Sequence, residues 1–262
     1  MKYHWSVFTK PWKDLDLHAL ADHVARLGFD GIEFPIRPGF QVEPEHAERD
    51  LPKIKKAMQE HGLSITSVAG SITESIFAAC QACKVPLIRI MIPGISSLSW
   101  QENLEKARRE LDAALPLCEK YGVSLGIQHH YGFSIFHSME LRVLLDPFDP
   151  RYIGGVWDAA HSALAGEPPL KALEILEDRL LLVNLKNAYM RRINGPESSP
   201  ALYKPYFTTG PQGASPWHEV AQALAKRQYR GVICLCAEYS DTVNTDAYIA
   251  QDLLYAKSIF ES

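Results

Sequence analysis

Four apolar runs in the sequence each end in side chains that can bind a metal ion or transfer a proton. Short apolar runs closed by polar residues are typical of buried β-strands whose carboxyl ends reach a surface. The residues that close the four runs are Gln128, Asp158, Asn184 and Glu238. We therefore predict that these four strand ends form one shared site.

Two histidines lie just beyond two of these strand ends. His130 follows Gln128 by two residues, and His161 follows Asp158 by three. An imidazole at such a place could bind a substrate hydroxyl group or act as a general acid. The neighbouring His129 is expected to point away from the site, because adjacent residues on a strand face opposite sides.

The segments that must position these side chains alternate between strand and helix patterns. Strand-like runs are followed by helical spacing about eight times, at intervals of roughly 30 residues, which is typical of an α/β fold of the (β/α)8 type. In one helix, Ser99 and Glu102 form a capping box at the start and Gly122 marks the end. We predict that residues 1–262 form one (β/α)8 TIM barrel, in which all strand ends converge on one mouth. A doubly wound sheet is the competing fold, and no GxGxxG sequence follows the first strand to support it.

The longest stretch without a regular pattern runs from residue 188 to residue 215. A loop of this length in a compact domain is usually functional or a lid, and we predict an irregular loop here. Its Arg191 is a candidate for gripping a phosphate or carboxylate group of a substrate. The alternative is a solvated loop face without a ligand.

Composition and charge argue against several classes of function. The 262 residues are 47% hydrophobic and 22% charged, which is ordinary for a globular enzyme with a large core. The formal net charge is −4 and the basic residues are dispersed, so nucleic acid is not an expected partner. No apolar run is long enough to cross a membrane and the first residues do not form a signal peptide, so we expect a cytoplasmic protein.

Five sequence motifs, in order, resemble those of the xylose-isomerase-like TIM barrel family. This family includes sugar and sugar-phosphate isomerases and epimerases, inosose dehydratase-type enzymes and an apurinic endonuclease branch. The resemblance spans essentially the whole chain. The motifs are Gly28–Glu33, Leu125–His130, Asp158–His161 with Ala165–Pro168, Asn184–Asn187, and Gly231–Glu238.

The resemblance implies a metal site at the four strand ends. In the family, Glu, Asp, His and Glu hold a divalent metal, and the matching positions here are Gln128, Asp158, Asn184 and Glu238. Two ligands match and two are amides. Four oxygen ligands still suit Mn²⁺ or Mg²⁺, but the loss of one carboxylate charge predicts weaker binding. A Lys-Asp pair common in the family is replaced by Lys186-Asn187.

The resemblance also implies proton abstraction next to a carbonyl group. Two-base epimerisation uses the glutamates of strands five and eight, and Gln128 has no useful basicity at the first of these positions. We therefore predict a one-base isomerisation or dehydration of a carbohydrate, with Glu238 as the base and His161 and His130 as catalytic partners. Second-tier candidates for substrate contact are Glu33, Lys186, His4 and Arg191, with simple packing as the alternative for His4.

Two other functional classes remain open. One is a non-catalytic carbohydrate-binding barrel with a degenerate metal site, in which Gln128 and Asn184 hydrogen-bond to each other. The other is a DNA-repair nuclease, which would need a histidine-rich multi-zinc cluster and a basic face, and the sequence shows neither. Since related barrels often pair, the resemblance also allows a homodimer.

Overall fold

Eight parallel strands form a closed barrel in the computed structural model, which describes residues 3–133 and 135–261. The strands found in these residues are, in chain order, β1 (His4–Phe8), β2 (Gly31–Pro35), β3 (Ser64–Ala69), β4 (Leu87–Ile90), β5 (Ser124–Gln128), β6 (Ile153–Asp158), β7 (Leu180–Leu185), β8 (Asn187–Arg192), β9 (Tyr203–Thr208) and β10 (Val232–Cys236). The barrel order is β1-β10-β7-β6-β5-β4-β3-β2. Because β1 pairs with both β2 and β10, the ring of strands has no free edge.

Each barrel strand leads into at least one helix. The α-helices are α1 (Leu17–Leu27), α2 (Ala47–Glu60), α3 (Glu74–Cys83), α4 (Trp100–Tyr121), α5 (Ser138–Leu145), α6 (Ala159–Leu164), α7 (Pro169–Ile175), α8 (Trp217–Lys226) and α9 (Thr245–Phe260). The predicted (β/α)8 barrel is confirmed by this alternation and by the closed parallel sheet. None of the helices in the described part of the chain has the length and apolar character needed to cross a membrane.

The predicted capping signals of α4 are confirmed. The Ser99 hydroxyl accepts a hydrogen bond from the backbone N–H of Glu102, and the Glu102 carboxylate accepts the N–H of Ser99 at 2.7 Å. The helix ends at Gly122, whose φ of 62° lies in the left-handed region. These local signals set the length of the helix that returns the chain from β4 to β5.

The core has two layers, as expected for this fold. Inside the barrel a small apolar cluster includes Phe8, Leu87, Val156, Leu182 and Cys236. A larger cluster fills the space between the outer face of the barrel and the ring of helices. Phe8 and Cys236 of the small cluster end their strands and line the same cavity as the polar residues at the carboxyl end of the barrel, where those residues can face a ligand.

The prediction of an irregular loop over residues 188–215 was wrong. The segment contains an antiparallel ribbon of β8 and β9, with Asn187 opposite Thr208 and Arg192 opposite Tyr203. Charged residues and a proline interrupt the strand periodicity in the sequence. The ribbon exists because the two segments pair with each other, and single-segment patterns do not reveal such pairing.

Candidate active site

The four predicted strand-end residues meet at the carboxyl end of the barrel. Gln128 and Asp158 are the last residues of β5 and β6, and Asn184 is paired with Asp158 across the β6–β7 ladder. The Gln128 side-chain amide donates a hydrogen bond to Asp158 Oδ2 at 2.7 Å. Gln128, Asn184 and Glu238 also line one cavity of about 70 Å³.

Lys186 lies between the two carboxylates of this group. Its Nζ is 3.8 Å from Asp158 Oδ2 and 3.4 Å from Glu238 Oε2, and its side chain is only 7% exposed. The ring of Phe207, on β9, covers the ammonium group at 4.7 Å from the ring centre. Burial alone would lower the pKa of Lys186, but Asp158 and Glu238 outweigh burial and raise the pKa above its usual value. Lys186 is thus a fixed positive charge at the centre of the site.

A buried ion pair supports Gln128 from below. Arg89, on β4, donates two hydrogen bonds to the Glu33 carboxylate, at 2.7 and 2.8 Å. A third N–H of Arg89 donates to the Gln128 side-chain oxygen. Glu33 is fully buried and does not line the cavity, so it contacts the site through Arg89.

Glu238 has two lysine partners. Lys10 donates to Glu238 Oε1 at 2.6 Å, while Lys186 contacts the other oxygen. Burial would raise the pKa of Glu238, and the charges of Lys186 and Lys10 outweigh it and lower the pKa to about 2. Glu238 is therefore a carboxylate throughout the neutral and mildly acidic range.

Asp158 is held by backbone groups as well as by side chains. Its Oδ1 accepts the N–H groups of Ala160 and His161 and so caps α6. The Asp158 N–H donates to His129 Nε2 at 2.9 Å, and His129 Nδ1 lies 3.1 Å from the Phe136 carbonyl oxygen. His129 therefore carries its proton on Nδ1 and faces away from the cavity, where it fixes the end of β6.

The two candidate catalytic histidines pack against each other with their ring planes tilted by 40°. The ring centres of His130 and His161 are 3.8 Å apart. Burial and the charge of Lys186 lower the pKa of both imidazoles. Both rings are consequently neutral at pH 7, which suits hydrogen bonding to a substrate hydroxyl group better than the general-acid role considered from the sequence.

Two buried polar side chains at the site lack hydrogen-bond partners within the described residues. They are the Asn184 amide, at both its oxygen and its nitrogen, and the His161 ring, at both nitrogens. The hydrogen bond between Gln128 and Asn184 considered from the sequence is not formed. Unpaired buried groups are costly, so these atoms are natural partners for a polar ligand.

Two predicted substrate contacts do not lie at this site. His4 begins β1 at the opposite, amino end of the barrel, where its Nε2 is 3.0 Å from Ser64 Oγ. Arg191 is exposed on β8 and stacks on the ring of Tyr206 at 5.0 Å. Residue type alone suggested both. The position of His4 at the start of its strand was a signal for the amino end of the barrel, whereas the ribbon that carries Arg191 was not visible in the pattern.

Sequence reasoning missed three cationic residues of the site, Lys10, Arg37 and Arg89. Lys10 lies just after β1, and Arg89 lies within the apolar run of β4. A charged side chain inside a buried strand requires a buried partner, so Arg89 between Ile88 and Ile90 was an available signal. Nothing in the pattern around Lys10 distinguished it from a surface lysine.

The side chains present do not suit the predicted divalent metal ion. Lys186 already bridges Asp158 and Glu238, and the Gln128 side-chain oxygen accepts a hydrogen bond from a guanidinium group. Asn184 is the remaining candidate ligand with a free oxygen. Within residues 3–133 and 135–261, no three His, Cys, Asp or Glu side chains are grouped so that they could hold an ion. The donor set therefore does not support the Mn²⁺ or Mg²⁺ site expected from the sequence.

Comparison with known proteins gives matches along nearly the whole chain. The family model of the xylose isomerase-like TIM barrel matches residues 21–259. An inosose dehydratase 2 of Bacillus cereus is 27% identical over 143 residues, which are 53% of this chain and 48% of the relative. The match thus spans about half the length of this curated relative.

Solved structures share the architecture over the full chain. A D-psicose 3-epimerase from Clostridium cellulolyticum, solved with D-tagatose, has a TM-score of 0.75 at 15% identity and covers 99% of this chain and 100% of its own. An IolI protein with a bound zinc atom has a TM-score of 0.76 at 12% identity and covers 98% of both chains. At these identities the likeness establishes the common fold.

Proposed function

Because the chain belongs to the xylose isomerase-like TIM barrel family, we propose that it is an enzyme that moves a proton next to the carbonyl group of a sugar, sugar phosphate or inosose. Isomerisation or dehydration with one base is favoured over epimerisation with two. The relatives include an inosose dehydratase and a D-psicose 3-epimerase, whose names support this class of substrate.

The observation that carries the proposal is a single carboxylate in the cavity wall. Of the described residues that line the cavity of about 70 Å³, Glu238 is the one with a carboxylate side chain. Gln128, at the position of the family's strand-five glutamate, is an amide and has no basic site. A single carboxylate supports a one-base reaction. Epimerisation removes a proton from one face of a carbon and adds a proton to the other face, and this uses two bases.

The proposed chemistry begins with Glu238 taking a proton from the carbon beside the carbonyl group. The C–H electron pair forms a carbon–carbon double bond, and the carbonyl π electrons move to the oxygen. For isomerisation, the hydroxyl proton on the deprotonated carbon moves to the former carbonyl oxygen, and Glu238 returns its proton to the former carbonyl carbon, so that the carbonyl group now lies on the carbon that was deprotonated. For dehydration, the carbonyl group re-forms, the hydroxyl group on the β-carbon departs, and Glu238 donates its proton to release water.

A larger cavity supplies room for the rest of such a substrate. It has a volume of about 920 Å³, shares Lys10 and Glu238 with the smaller cavity, and is lined by Trp12, Phe40 and Tyr239. The small cavity can hold the reacting carbons, and the larger one the remainder of the molecule. Sugar rings pack well against aromatic side chains, which supports a carbohydrate ligand here.

A solvent-deuterium screen tests this proposal. The protein is incubated in D₂O with a panel of ketoses, inososes and sugar phosphates, and the products are analysed by NMR. We expect label at a carbon-bound position of at least one compound, and labelling by Glu238→Gln slower by about 10²–10⁴-fold, the usual contribution of a positioned base. Glu48→Gln, on an exposed part of α2, is the matched control. Absence of label throughout the panel, or undiminished labelling by Glu238→Gln, would contradict the proposal.

A non-catalytic carbohydrate-binding barrel is the second candidate. The two amides, Gln128 and Asn184, at positions of family ligands favour it. Such a protein would bind a member of the panel, as measured by calorimetry, without any incorporation of deuterium. Binding together with incorporation would favour the enzyme.

A further inference from the structure

We infer that the Lys186 ammonium group takes the position of the divalent metal ion implied by the family resemblance, so that this site works without a metal. The claim about metal binding stands on geometry alone, whereas the catalytic role of Lys186 rests on the proposed function. Three observations carry the inference: the placement of Lys186, the orientation of Gln128 and the balance of charge.

The first observation is that Lys186 occupies the space between the carboxylates. Its Nζ lies 3.8 Å from Asp158 Oδ2 and 3.4 Å from Glu238 Oε2. A metal ion ligated by both oxygens, at about 2.0–2.6 Å from each, would have to lie in the same gap. With Phe207 above it, the nearly buried ammonium group fills this gap.

The second observation is that Gln128 does not present its oxygen to the gap. Its Oε1 accepts a hydrogen bond from Arg89, which is itself fixed by two hydrogen bonds to Glu33. Its Nε2 donates to Asp158 at 2.7 Å. An amide nitrogen is not a metal ligand, so this glutamine supports the Asp158 carboxylate where the family glutamate would bind an ion.

The third observation is that the site is already charge-balanced. Three carboxylates, of Glu33, Asp158 and Glu238, are matched by three cationic partners within 4 Å, namely Arg89, Lys186 and Lys10. Arg37 also lines the cavity, which adds further positive charge. A divalent cation would therefore enter an environment that repels it.

Lys186 can supply the chemistry that the ion would otherwise supply. As Glu238 takes the proton, negative charge develops on the carbonyl oxygen of the substrate. An ammonium group held in a water-poor site stabilises this charge by a hydrogen bond and by its own charge. The unpaired amide of Asn184 is placed to bind a neighbouring hydroxyl group.

Equilibrium dialysis against MnCl₂ tests the binding claim without any substrate. We expect wild-type protein to retain no Mn²⁺ above the protein-free compartment. The variant with Gln128→Glu, Asn184→His and Lys186→Met, which restores the family ligands and removes the ammonium group, should bind about one ion per chain. Retention of about one Mn²⁺ by the wild type would overturn the inference, as would a folded triple variant without Mn²⁺. If circular dichroism shows that the triple variant is unfolded, the wild-type result alone decides.

Deuterium exchange tests the catalytic claim. Lys186→Met should slow exchange by about 10²–10³-fold, as expected for loss of an oxyanion-stabilising group. Lys186→Arg should restore part of the rate because it retains the charge. Lys171→Met, which removes an exposed lysine of α7, is the matched control. Exchange that requires Mn²⁺ would leave the proposed function in place and overturn this inference. If no compound of the panel undergoes exchange, the proposed function is removed and the dialysis result still stands.

Discussion

Glu33 and Arg89 form an ion pair inside the barrel, with side chains 0% and 4% exposed. Their two hydrogen bonds fix the guanidinium group that holds Gln128. A buried charge without its partner is strongly destabilising, although the intact pair adds little net stability. The position of Gln128, and through it that of Asp158, therefore depends on a residue that does not touch the cavity.

Glu33→Gln should lower the free energy of unfolding by about 3–5 kcal/mol, because Arg89 would keep its charge and lose its counter-ion. Urea unfolding followed by tryptophan fluorescence measures this value, and the exposed Glu48→Gln is the control. The double variant Glu33→Gln with Arg89→Met should recover part of the loss, since the buried charge is gone. A loss below about 1 kcal/mol in the single variant would be at odds with a buried pair.

Residue patterns in the sequence identified the acids of the site better than its cations. Asp158 and Glu238 close apolar runs, and strand direction then brings them to one mouth. Lys10 has no such mark, because its role comes from the position of Glu238, which is 228 residues away along the chain. Side-chain direction, such as that of the Gln128 oxygen, is fixed by partners that lie far off in sequence.

At the scale of elements, α9 ties down two segments that border the site. The buried Asp252 carboxylate accepts the N–H of Gly210 and the hydroxyl of Tyr239, both at 2.7 Å. Gly210 follows the ribbon strand β9, and Tyr239 follows Glu238. The Asp252 carboxylate therefore connects two segments to α9: the end of the ribbon that carries Phe207, and the loop that carries the proposed base Glu238.

The pKa of Asp252 predicts a pH dependence of stability. Burial raises this pKa to about 6, although the Gly210 N–H and the Tyr239 hydroxyl oppose it. A raised pKa means that the folded protein holds the proton more tightly than the unfolded chain does. The stabilising contribution of protonated Asp252 is thus fully present below about pH 4 and is lost as the pH rises through about 6.

Asp252→Asn should remove this dependence, since an amide can accept from Gly210 and donate to Tyr239 without a charge. Relative to wild type, the variant should gain on the order of 3 kcal/mol in unfolding free energy between pH 4 and pH 7. Urea unfolding at several pH values measures the difference, with Asp112→Asn, an exposed substitution on α4, as the control. If the difference in unfolding free energy between wild type and variant does not change with pH, Asp252 is not the source of the pH dependence.

Element-level prediction succeeded where one segment carries its own signal. Caps and glycine stops mark α4 at both ends, and the apolar runs mark the barrel strands. The ribbon of β8 and β9 was missed because its strands are polar on exposed faces and are stabilised by each other. Pairing across an intervening turn is a property of two segments, and neither alone predicts it.

At the scale of the whole molecule, α9 also closes the fold against the first strand. Phe260 packs edge-on against Tyr3 and Trp5, with ring centres 5.6 and 5.5 Å apart. The Trp5 indole N–H donates to Glu261 at 2.8 Å. Since β1 joins β2 to β10, this contact stabilises the closure of the ring.

Phe260→Ala should destabilise the whole barrel by about 3–5 kcal/mol, the usual cost of truncating a buried phenylalanine. Leu254→Ala, at a site of the same helix that is 70% exposed, should change stability by less than about 0.5 kcal/mol. We expect far-UV circular dichroism and tryptophan fluorescence to report one common transition. A separate early transition of α9, with the barrel unchanged, would contradict closure by this helix.

The overall architecture was predictable because eight repeats of the same strand and helix pattern reinforce one another. The centre of the site was less predictable, since the resemblance supplies metal ligands at two positions where this chain has the amides Gln128 and Asn184, and Lys186 contacts both remaining carboxylates. A family resemblance predicts which residue types stand at given positions, but it does not predict the contacts that they make. The distances around Asp158 and Glu238 show that the Lys186 ammonium group lies beside both carboxylates.

The most direct test of the account compares deuterium incorporation into a substrate carbon by wild-type protein in excess EDTA and in added MnCl₂. If Glu238 is the base and Lys186 is the resident cation, label enters at the same rate under both conditions. Incorporation that stops in EDTA and returns with Mn²⁺ would contradict the account, as would a complete lack of incorporation from every ketose, inosose and sugar phosphate tried.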